Sequence, residues 1–170
     1  MSEKRPSKRQ QAAEAWATTD WDDVARFLGP NADRFLTVWQ RTREKLLAKG
    51  TGNAVGWSWS AFVFSFAWFL YRKQWVAGIV LIAAPLTIVY LGASPGGGIG
   101  VGIVMAIYAK SFLLQDAVLK IARIRSRGGG DAEIAAAGGV SRIGGLIGGI
   151  IWLLSAAAVI VSTVLRVRAG

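Results

Sequence analysis

The chain contains no cysteine and no histidine. These absences remove thiolate nucleophiles, disulfides, the commonest proton-transfer group near neutral pH, and the ligands that zinc and iron–sulfur sites prefer. No paired carboxylates fall within the apolar runs, and no serine has a visible base nearby. We therefore expect a protein that is not an enzyme and that has no catalytic residues, no metal site and no cofactor.

Acidic residues are also scarce, because 10 Asp and Glu stand against 20 Lys and Arg. The net charge of +10 accompanies a chain that is 53% hydrophobic, and the basic residues flank apolar segments instead of forming one patch. A cation beside a membrane contributes about 1 kcal/mol near an acidic leaflet. The pattern therefore favours anionic lipid headgroups as partners and argues against nucleic acid.

Long apolar runs are what the chain has in abundance. Gly144 to Leu165 is a 22-residue run without a charge, and about 20 apolar residues at about 1.5 Å each cross about 30 Å of hydrocarbon. The runs predict an all-α integral membrane protein with about three transmembrane helices, near residues 74–92, 99–117 and 143–165.

The N-terminal part of the chain is polar. Residues 1–18 carry alternating charges and Pro6, which predicts a disordered basic arm. The basic start lacks a following apolar stretch, so a cleaved secretory signal is not expected. Asp20 as a capping residue, acids in the following turn and a stop at Gly29-Pro30 predict one helix, and a second helical pattern closes at Gly50. Together they predict a small cytosolic helical hairpin over residues 19–50.

Residues 55–70 hold three of the eight Trp and four of the seven Phe. The segment is short for a span, and Tyr71-Arg72-Lys73 follow at once. If it crossed fully, Arg72-Lys73 and the basic stretch from Lys120 to Arg142 would lie outside, against the positive-inside rule. We therefore expect an in-plane or re-entrant aromatic helix, a cytoplasmic N-terminus and an outer turn at 92–98. A shallow fourth crossing is the alternative.

Several features occur in a recognisable order: Gly29-Pro30-Asn31 before a helix with Phe35 and Trp39, then the aromatic segment from Trp59 to Trp68 leading into Leu70-Tyr71-Arg72-Lys73, then Tyr108, Ile121 and Gly138-Gly139-Val140-Ser141. From about Asp22 onward the chain resembles the small bacterial membrane proteins grouped as domain of unknown function family 2628. The resemblance implies a helical fold in the bacterial inner membrane, crossed more than once, and brings no known activity. This chain has Ser58, Ser65-Phe66 and Lys110 where that family's pattern would have Asn, Gly-Pro and Asn.

Small residues at helical spacing mark candidate helix-packing faces. Such faces let helix backbones approach closely, either within the chain or against a partner helix, and the sequence leaves both readings open. The partner would be another membrane protein or a second copy bound through the glycine-rich helix. The candidate packing residues are Gly144, Gly145, Gly148, Gly149, Gly102 and Ala106.

Aromatic and basic residues at segment ends are candidates for contact with lipid headgroups. Residues of the same kinds also simply mark the end of a membrane segment, and they then have no further role. They are Trp57, Trp59, Trp68, Tyr71, Arg72, Lys73, Lys120, Arg123, Arg125 and Arg127. Lys110 is a charge inside an apolar run, and it either extends its amine to the cytosolic interface or lines an ion path.

These features favour a non-catalytic membrane accessory or scaffold subunit that binds other membrane helices and anionic lipid. The alternative is a small transport or channel component of the inner membrane. That alternative needs polar residues facing a common interior, and the runs offer only Lys110 and scattered Ser and Thr.

Overall fold

The computed structural model describes residues 7–49, 54–90 and 97–169. All regular structure in these ranges is helical, which confirms the all-α prediction. The helices are α1 (Lys8–Thr18), α2 (Trp21–Leu28), α3 (Asp33–Lys49), α4 (Trp59–Phe64), α5 (Phe66–Tyr71), α6 (Trp75–Tyr90), α7 (Gly97–Ser126), α8 (Asp131–Ala137) and α9 (Arg142–Ala169). Most of the predicted outer turn at 92–98 lies outside the described residues.

The chain divides into two compact units. The head unit comprises Met1–Ser58 and Ile107–Gly139, and the apolar unit comprises Trp59–Ala106 and Val140–Gly170. Helix α7 is continuous: it begins in the apolar unit and ends in the head unit.

The head unit includes part of the arm that composition predicted to be disordered. Residues 8–18 form α1, which opens with a reciprocal capping box between Ser7 and Gln10. Trp16 is only 4% exposed, and its ring stacks on that of Trp39 in α3 with centroids 4.6 Å apart. The prediction was wrong for these residues because one buried tryptophan, paired with a distant helix, outweighs the polar content around it.

Helices α2 and α3 form where the hairpin was predicted. Gly29 ends α2 with φ of 78°, a conformation that favours glycine. Helix α2 packs closely against α8, where the Gly139 amide donates to the Phe27 carbonyl at 2.6 Å. The two helices are therefore part of a larger core that also contains α1, α8 and the second half of α7.

That second half of α7 forms the centre of the head unit. Its fully buried residues recur at steps of three and four, and none of them is more than 2% exposed: Leu113, Leu114, Ala117, Val118 and Ile121. The predicted span at 99–117 therefore has one face packed in a protein core over much of its length. Hydropathy did not separate the two roles because a core helix and a span are both apolar.

The linker that leaves α3 is held by polar contacts inside the head unit. The Ala54 amide donates to the Thr42 hydroxyl at 3.0 Å, and the Ala54 carbonyl accepts from the Ser111 hydroxyl. The Gly56 amide donates to the Ile107 carbonyl at 3.1 Å. These bonds fix the chain between α3 and α7 just before the aromatic segment begins.

The aromatic segment is two six-residue helices instead of the one helix predicted. The break falls at Ser65, whose φ of 43° is rare for a residue with a side chain, at the position where the resembled family's pattern would have glycine followed by proline. Each helix is about 9 Å long, far less than the thickness of a bilayer. Helix α5 packs against α4, α6 and α9.

Two helical stretches of the described chain are long and apolar enough to cross a membrane, by length and composition alone: Gly100–Ser126 and Asp131–Leu165. The remaining predicted span, near residues 74–92, corresponds to α6, which has 16 residues and is about 24 Å long. By length and composition, the structure therefore supports two of the three predicted spans.

Candidate functional site

The apolar unit exposes large hydrophobic side chains. Val76 in α6 is 78% exposed, and Trp59 in α4 is 70% exposed. In the most apolar 18 residues of Asp131–Leu165 only 11% are buried, against 39% in the corresponding part of Gly100–Ser126. From Leu153 to Leu165 almost every residue of α9 is exposed. A helix that is apolar all round is normally surrounded by apolar matter.

The predicted glycine face of α9 packs within the chain along most of its length. A Cβ atom at Gly144 would lie 2.5 Å from the Leu70 carbonyl oxygen, and one at Gly148 would lie 2.9 Å from the Cα of Ala67. At Gly145 it would lie 2.8 Å from the Tyr71 ring. These three glycines therefore allow α5 to approach the backbone of α9 closely.

Gly149 differs from the other three glycines, because a Cβ atom there would meet nothing within 4 Å. It lies on an open flank of α9 between the exposed side chains of Leu146 and Leu153. The remaining predicted packing residues lie on α7: a Cβ atom at Gly102 would lie 3.7 Å from the Phe62 ring, and Ala106 is fully buried.

The turn between α5 and α6 brings together cations from two distant segments. The Lys73 amide donates to Leu70 and the Gln74 amide to Phe69, so that α5 ends in a Schellman motif with Lys73 at the left-handed position, φ 59°. The Ser141 amide donates to the Tyr71 carbonyl at 2.7 Å. That bond sets Arg72 and Lys73 beside the backbone of Arg142.

Arg142 was missed as a site residue by the sequence reasoning. It opens α9, and the capping hydroxyl of Ser141 accepts from the Gly144 amide at 2.9 Å. Its side chain is exposed. Its position as the last charge before the final apolar run was the available signal. Tyr71 and Trp75, which are 39% and 46% exposed, flank this turn.

Charge is divided unequally between the two units. All 10 acidic residues lie within the sequence ranges of the head unit. The apolar unit has no carboxylate side chain and five cations: Arg72, Lys73, Arg142, Arg166 and Arg168. An ion pair with a side chain inside the apolar unit is therefore impossible for these five.

Three of the four predicted cations between Lys120 and Arg127 have acidic partners inside the head unit. Lys120 pairs with Asp116 at 2.7 Å, and Arg127 pairs with Glu133. Arg125 forms a two-pronged contact with Asp23, with N–O distances of 2.6 and 2.9 Å, and also reaches Asp131 at 2.6 Å. These contacts join α2, α7 and α8.

The Asp23 carboxylate is the electrostatic centre of this network. Its hydrogen bonds with Arg125 hold the pKa of the carboxyl below its usual value, and Arg26 at 3.0 Å acts in the same direction.

Arg123 is exposed beside an open groove of about 530 Å³ between α1 and α7, which Glu14 and Thr18 also line.

Lys110 has a partner in the structure that neither of the two roles considered for it had named. Its amine donates to the Arg34 carbonyl at 2.9 Å and lies 5.7 Å from the centre of the Phe35 ring. The ammonium therefore binds a backbone group at the start of α3 within the head unit. The sequence did not suggest this because the two residues are 76 positions apart.

The predicted interfacial tryptophans separate into two groups. Trp57 and Trp59 are 40% and 70% exposed, as an interfacial position requires. Trp68 is only 7% exposed and packs edge-to-face on Phe69 with ring centroids 5.0 Å apart. Its prediction was wrong because α5 is covered by α6 and α9, which the local pattern did not show.

Over the described residues these features define an all-helical fold, with two helices long and apolar enough to cross a membrane. The chain belongs to the family described as "Protein of unknown function (DUF2628)", whose sequence model matches residues 31–118, just over half of the chain. The match runs from just before α3 to the buried part of α7. No curated protein and no solved structure matches the chain.

Proposed function

We propose that this protein is an integral protein of the bacterial inner membrane and a non-catalytic accessory or scaffold subunit, which binds other membrane helices and anionic lipid. The observation that carries the proposal is α9, whose apolar side chains are exposed on nearly all sides from Leu153 to Leu165. In water this surface would be strongly unfavourable, since each buried CH₂ group is worth about 0.8 kcal/mol. Lipid around α9 removes that cost.

In the proposed topology α6, α7 and α9 are the membrane helices, and α4 and α5 form a re-entrant segment. The break at Ser65 directly follows the last turn of α4, where carbonyl groups lack helical partners. The Trp152 indole N–H donates to the Val63 carbonyl at 2.8 Å. Backbone groups in lipid need such internal partners, so this bond supports a broken helix at membrane depth.

The second half of α7 presents two different faces in this proposal. One face is packed in the head unit, while Tyr108, Phe112 and Leu119 on the other are 41%, 46% and 37% exposed. Only this outer face would meet the membrane. The charged outer helices of the head unit, α1, α2, α3 and α8, would lie on the cytosolic side together with the N-terminus.

The surface for a partner helix is the open flank of α9. Leu146, Gly149 and Leu153 follow one another at steps of three and four. Because Gly149 has no side chain, it leaves a depression between the two exposed leucines. A second helix packed there would gain dispersion contacts of about 0.1–0.2 kcal/mol per atom pair over many pairs. The partner is either another membrane protein or a second copy of this chain.

Membrane location and topology are tested by extraction and labelling. The protein should stay with membranes after alkaline carbonate washing. Because the chain has no cysteine, a single cysteine at Ser94 should react with an impermeant maleimide in intact cells, and one at Ser126 only after permeabilisation. Release by carbonate, or labelling of Ser126 from outside, would contradict the proposal.

The scaffold role is tested by Gly149→Leu, which fills open space within the chain. Crosslinked or co-purifying partners should decrease at equal membrane abundance, because a leucine would hold the partner backbone away. Leu47→Ala in α3, another strongly exposed position, is a control that should leave assembly unchanged. Equal assembly in wild type and the Gly149 variant would remove the support for a partner on this flank.

A transport or channel component is the alternative function. Its support is the broken helix, because interrupted helices line binding sites in several transporters. The carbonyl of Val63, beside the break, already accepts a bond from Trp152. We therefore favour the scaffold role.

A further inference from the structure

We propose that one flank of α3 binds the anionic lipid surface of the cytosolic leaflet. This cationic flank consists of Arg34, Arg41, Lys45 and Lys49, none of which the sequence had singled out. The inference rests on the proposed membrane location and names the surface of the head unit that meets anionic lipid. It is carried by the arrangement of charge around α3 and by the linker that runs along it.

Charge is sorted by sign around the axis of α3. At about 100° per residue, the four exposed cations fall within an arc of about 80°. The two carboxylates of the helix, Asp33 and Glu44, lie about 100° from the centre of that arc, opposite the buried side of α3. The cationic flank is therefore a strip with one sign of charge.

The four cations of the flank form no ion pair with an acid of the described residues. By contrast, Lys120, Arg125 and Arg127 in the same unit each have an acidic partner. The amine of Lys110 brings further positive charge to the start of the flank, because it donates to the Arg34 carbonyl at 2.9 Å. The charge of the flank is therefore available to an external anion.

The linker that follows α3 runs along the same flank. A Cβ atom at Gly56 would lie 2.5 Å from Val38, whose position on α3 falls within the arc of the cations. The Ala54 amide is also bonded to α3, at 3.0 Å. Val55 and Trp57 of this linker are 44% and 40% exposed. Apolar and aromatic side chains beside cations are typical of a surface at the level of lipid headgroups.

Chain connectivity sets the depth of this linker in the proposed topology. Trp57 lies two residues before Trp59, the first residue of the apolar unit. Two residues span at most about 7 Å, so the end of the linker lies close to the segment assigned to the membrane. Long lysine and arginine side chains on the flank beside this linker can therefore reach the headgroups, where each cation contributes a factor of about five in affinity.

The test identifies the lipids around α3 in full-length protein reconstituted into phosphatidylcholine vesicles. Because the chain has no cysteine, Ala48→Cys provides a single site for a fluorophore, and this exposed position lies beside the flank. Phosphatidylglycerol and phosphatidylcholine, each with the same nitroxide near the top of one acyl chain, are added separately as short-range quenchers. The mole fraction that gives half-maximal quenching measures which lipid gathers at the flank.

The labelled protein with an intact flank should need about tenfold less phosphatidylglycerol than phosphatidylcholine, and added salt should reduce this preference. The variant R41Q/K45Q should lose about fivefold or more of the preference, because it removes two of the cations. All these positions are exposed, so the variant should unfold at the same temperature as its parent. The single variant K45Q, with a smaller loss in the same direction, keeps the test decisive if the double variant is unstable.

The matched control is Q40E/L47E, which changes the charge of α3 by the same amount on the far side of the helix. Both positions are exposed. A helix is about 10 Å across with its side chains, which exceeds the screening length of about 8 Å at physiological salt. The control should therefore change the preference by less than about twofold.

Equal quenching by the two lipids in the protein with an intact flank would overturn the anionic lipid surface. Absence of quenching by both would also overturn it, since the flank would then face water or an acidic protein. So would an equal loss of preference in Q40E/L47E, because the effect would be one of net charge. Release of the wild-type protein from membranes by carbonate would instead contradict the proposed membrane location, so the two failures are distinguishable.

Discussion

At the scale of single residues, the described part of the chain has side chains at two positions where the backbone favours glycine. Ser65 breaks the aromatic segment with φ of 43°, and Lys73 ends α5 with φ of 59°. Each costs about 1–2 kcal/mol relative to a relaxed conformation. Ser65 lies at the N-cap position of α5, and its side chain makes no capping hydrogen bond there.

Ser65→Gly should therefore raise the free energy of unfolding by about 1 kcal/mol, because glycine adopts positive φ without a steric cost. Thermal unfolding in detergent measures the change. Ser65→Ala is the control, since it removes the same hydroxyl and keeps the Cβ atom. An equal gain from alanine would show that backbone strain is not the cause.

Asp23 gives the head unit a predictable response to pH. Because Arg125 lowers its pKa in the folded protein below the unfolded value near 3.8, the ionised carboxylate stabilises the fold at pH above that value. The contribution is lost as pH falls through the lower, folded pKa. Asp23→Asn should thus lower the unfolding temperature at pH 7, and the difference from wild type should shrink below about pH 4.

The control for this prediction is Asp22→Asn, which removes a neighbouring carboxylate from the same first turn of α2. It shares the favourable position at the helix N-terminus. Thermal unfolding of both variants and of wild type across this pH range measures the effect. A similar pH dependence in the two would assign the effect to the helix end and not to the bond with Arg125.

At the scale of elements, α9 has a packed side and an open side. Gly148→Ala should destabilise the apolar unit by about 1–3 kcal/mol, because the new Cβ atom would lie 2.9 Å from the backbone of Ala67. Gly149→Ala should stabilise it by about 0.5–1 kcal/mol, since alanine favours the helix and the space is open. Thermal unfolding in detergent should give opposite signs, and destabilisation by both substitutions would contradict the packing of α9 on α5.

At the scale of the whole molecule, the head unit is built from two stretches of sequence separated by most of the apolar unit. Residues 1–58 provide α1 to α3, but α7 contributes five large buried side chains: Leu113, Leu114, Val118, Ile121 and Ile124. At about 1.5–3 kcal/mol each, their burial amounts to about 7–15 kcal/mol. This is comparable to the total stability of a small domain, about 5–15 kcal/mol.

A fragment of residues 1–58 should therefore lack cooperative unfolding and show little helix by circular dichroism. Joining Ser58 to Ile107 through a short Gly/Ser linker, with the chain continued to Gly139, should restore a cooperatively folded head unit. The Gly56 amide already lies 3.1 Å from the Ile107 carbonyl, so the linker spans little distance. Cooperative unfolding of the short fragment would contradict this account.

The sequence by itself determined the features that depend on neighbours within one or two helical turns. The helical class, the ends of α2 at Asp20 and Gly29, and the long apolar helix α9 follow from capping residues and apolar periodicity. Only the tertiary structure decided that Trp16 is buried, that Arg125 pairs with Asp23 102 positions away, and that Gly149 alone among its four glycines stays open. These outcomes depend on which distant segments meet, and a local pattern has no information about the atoms that will face it across a helix interface.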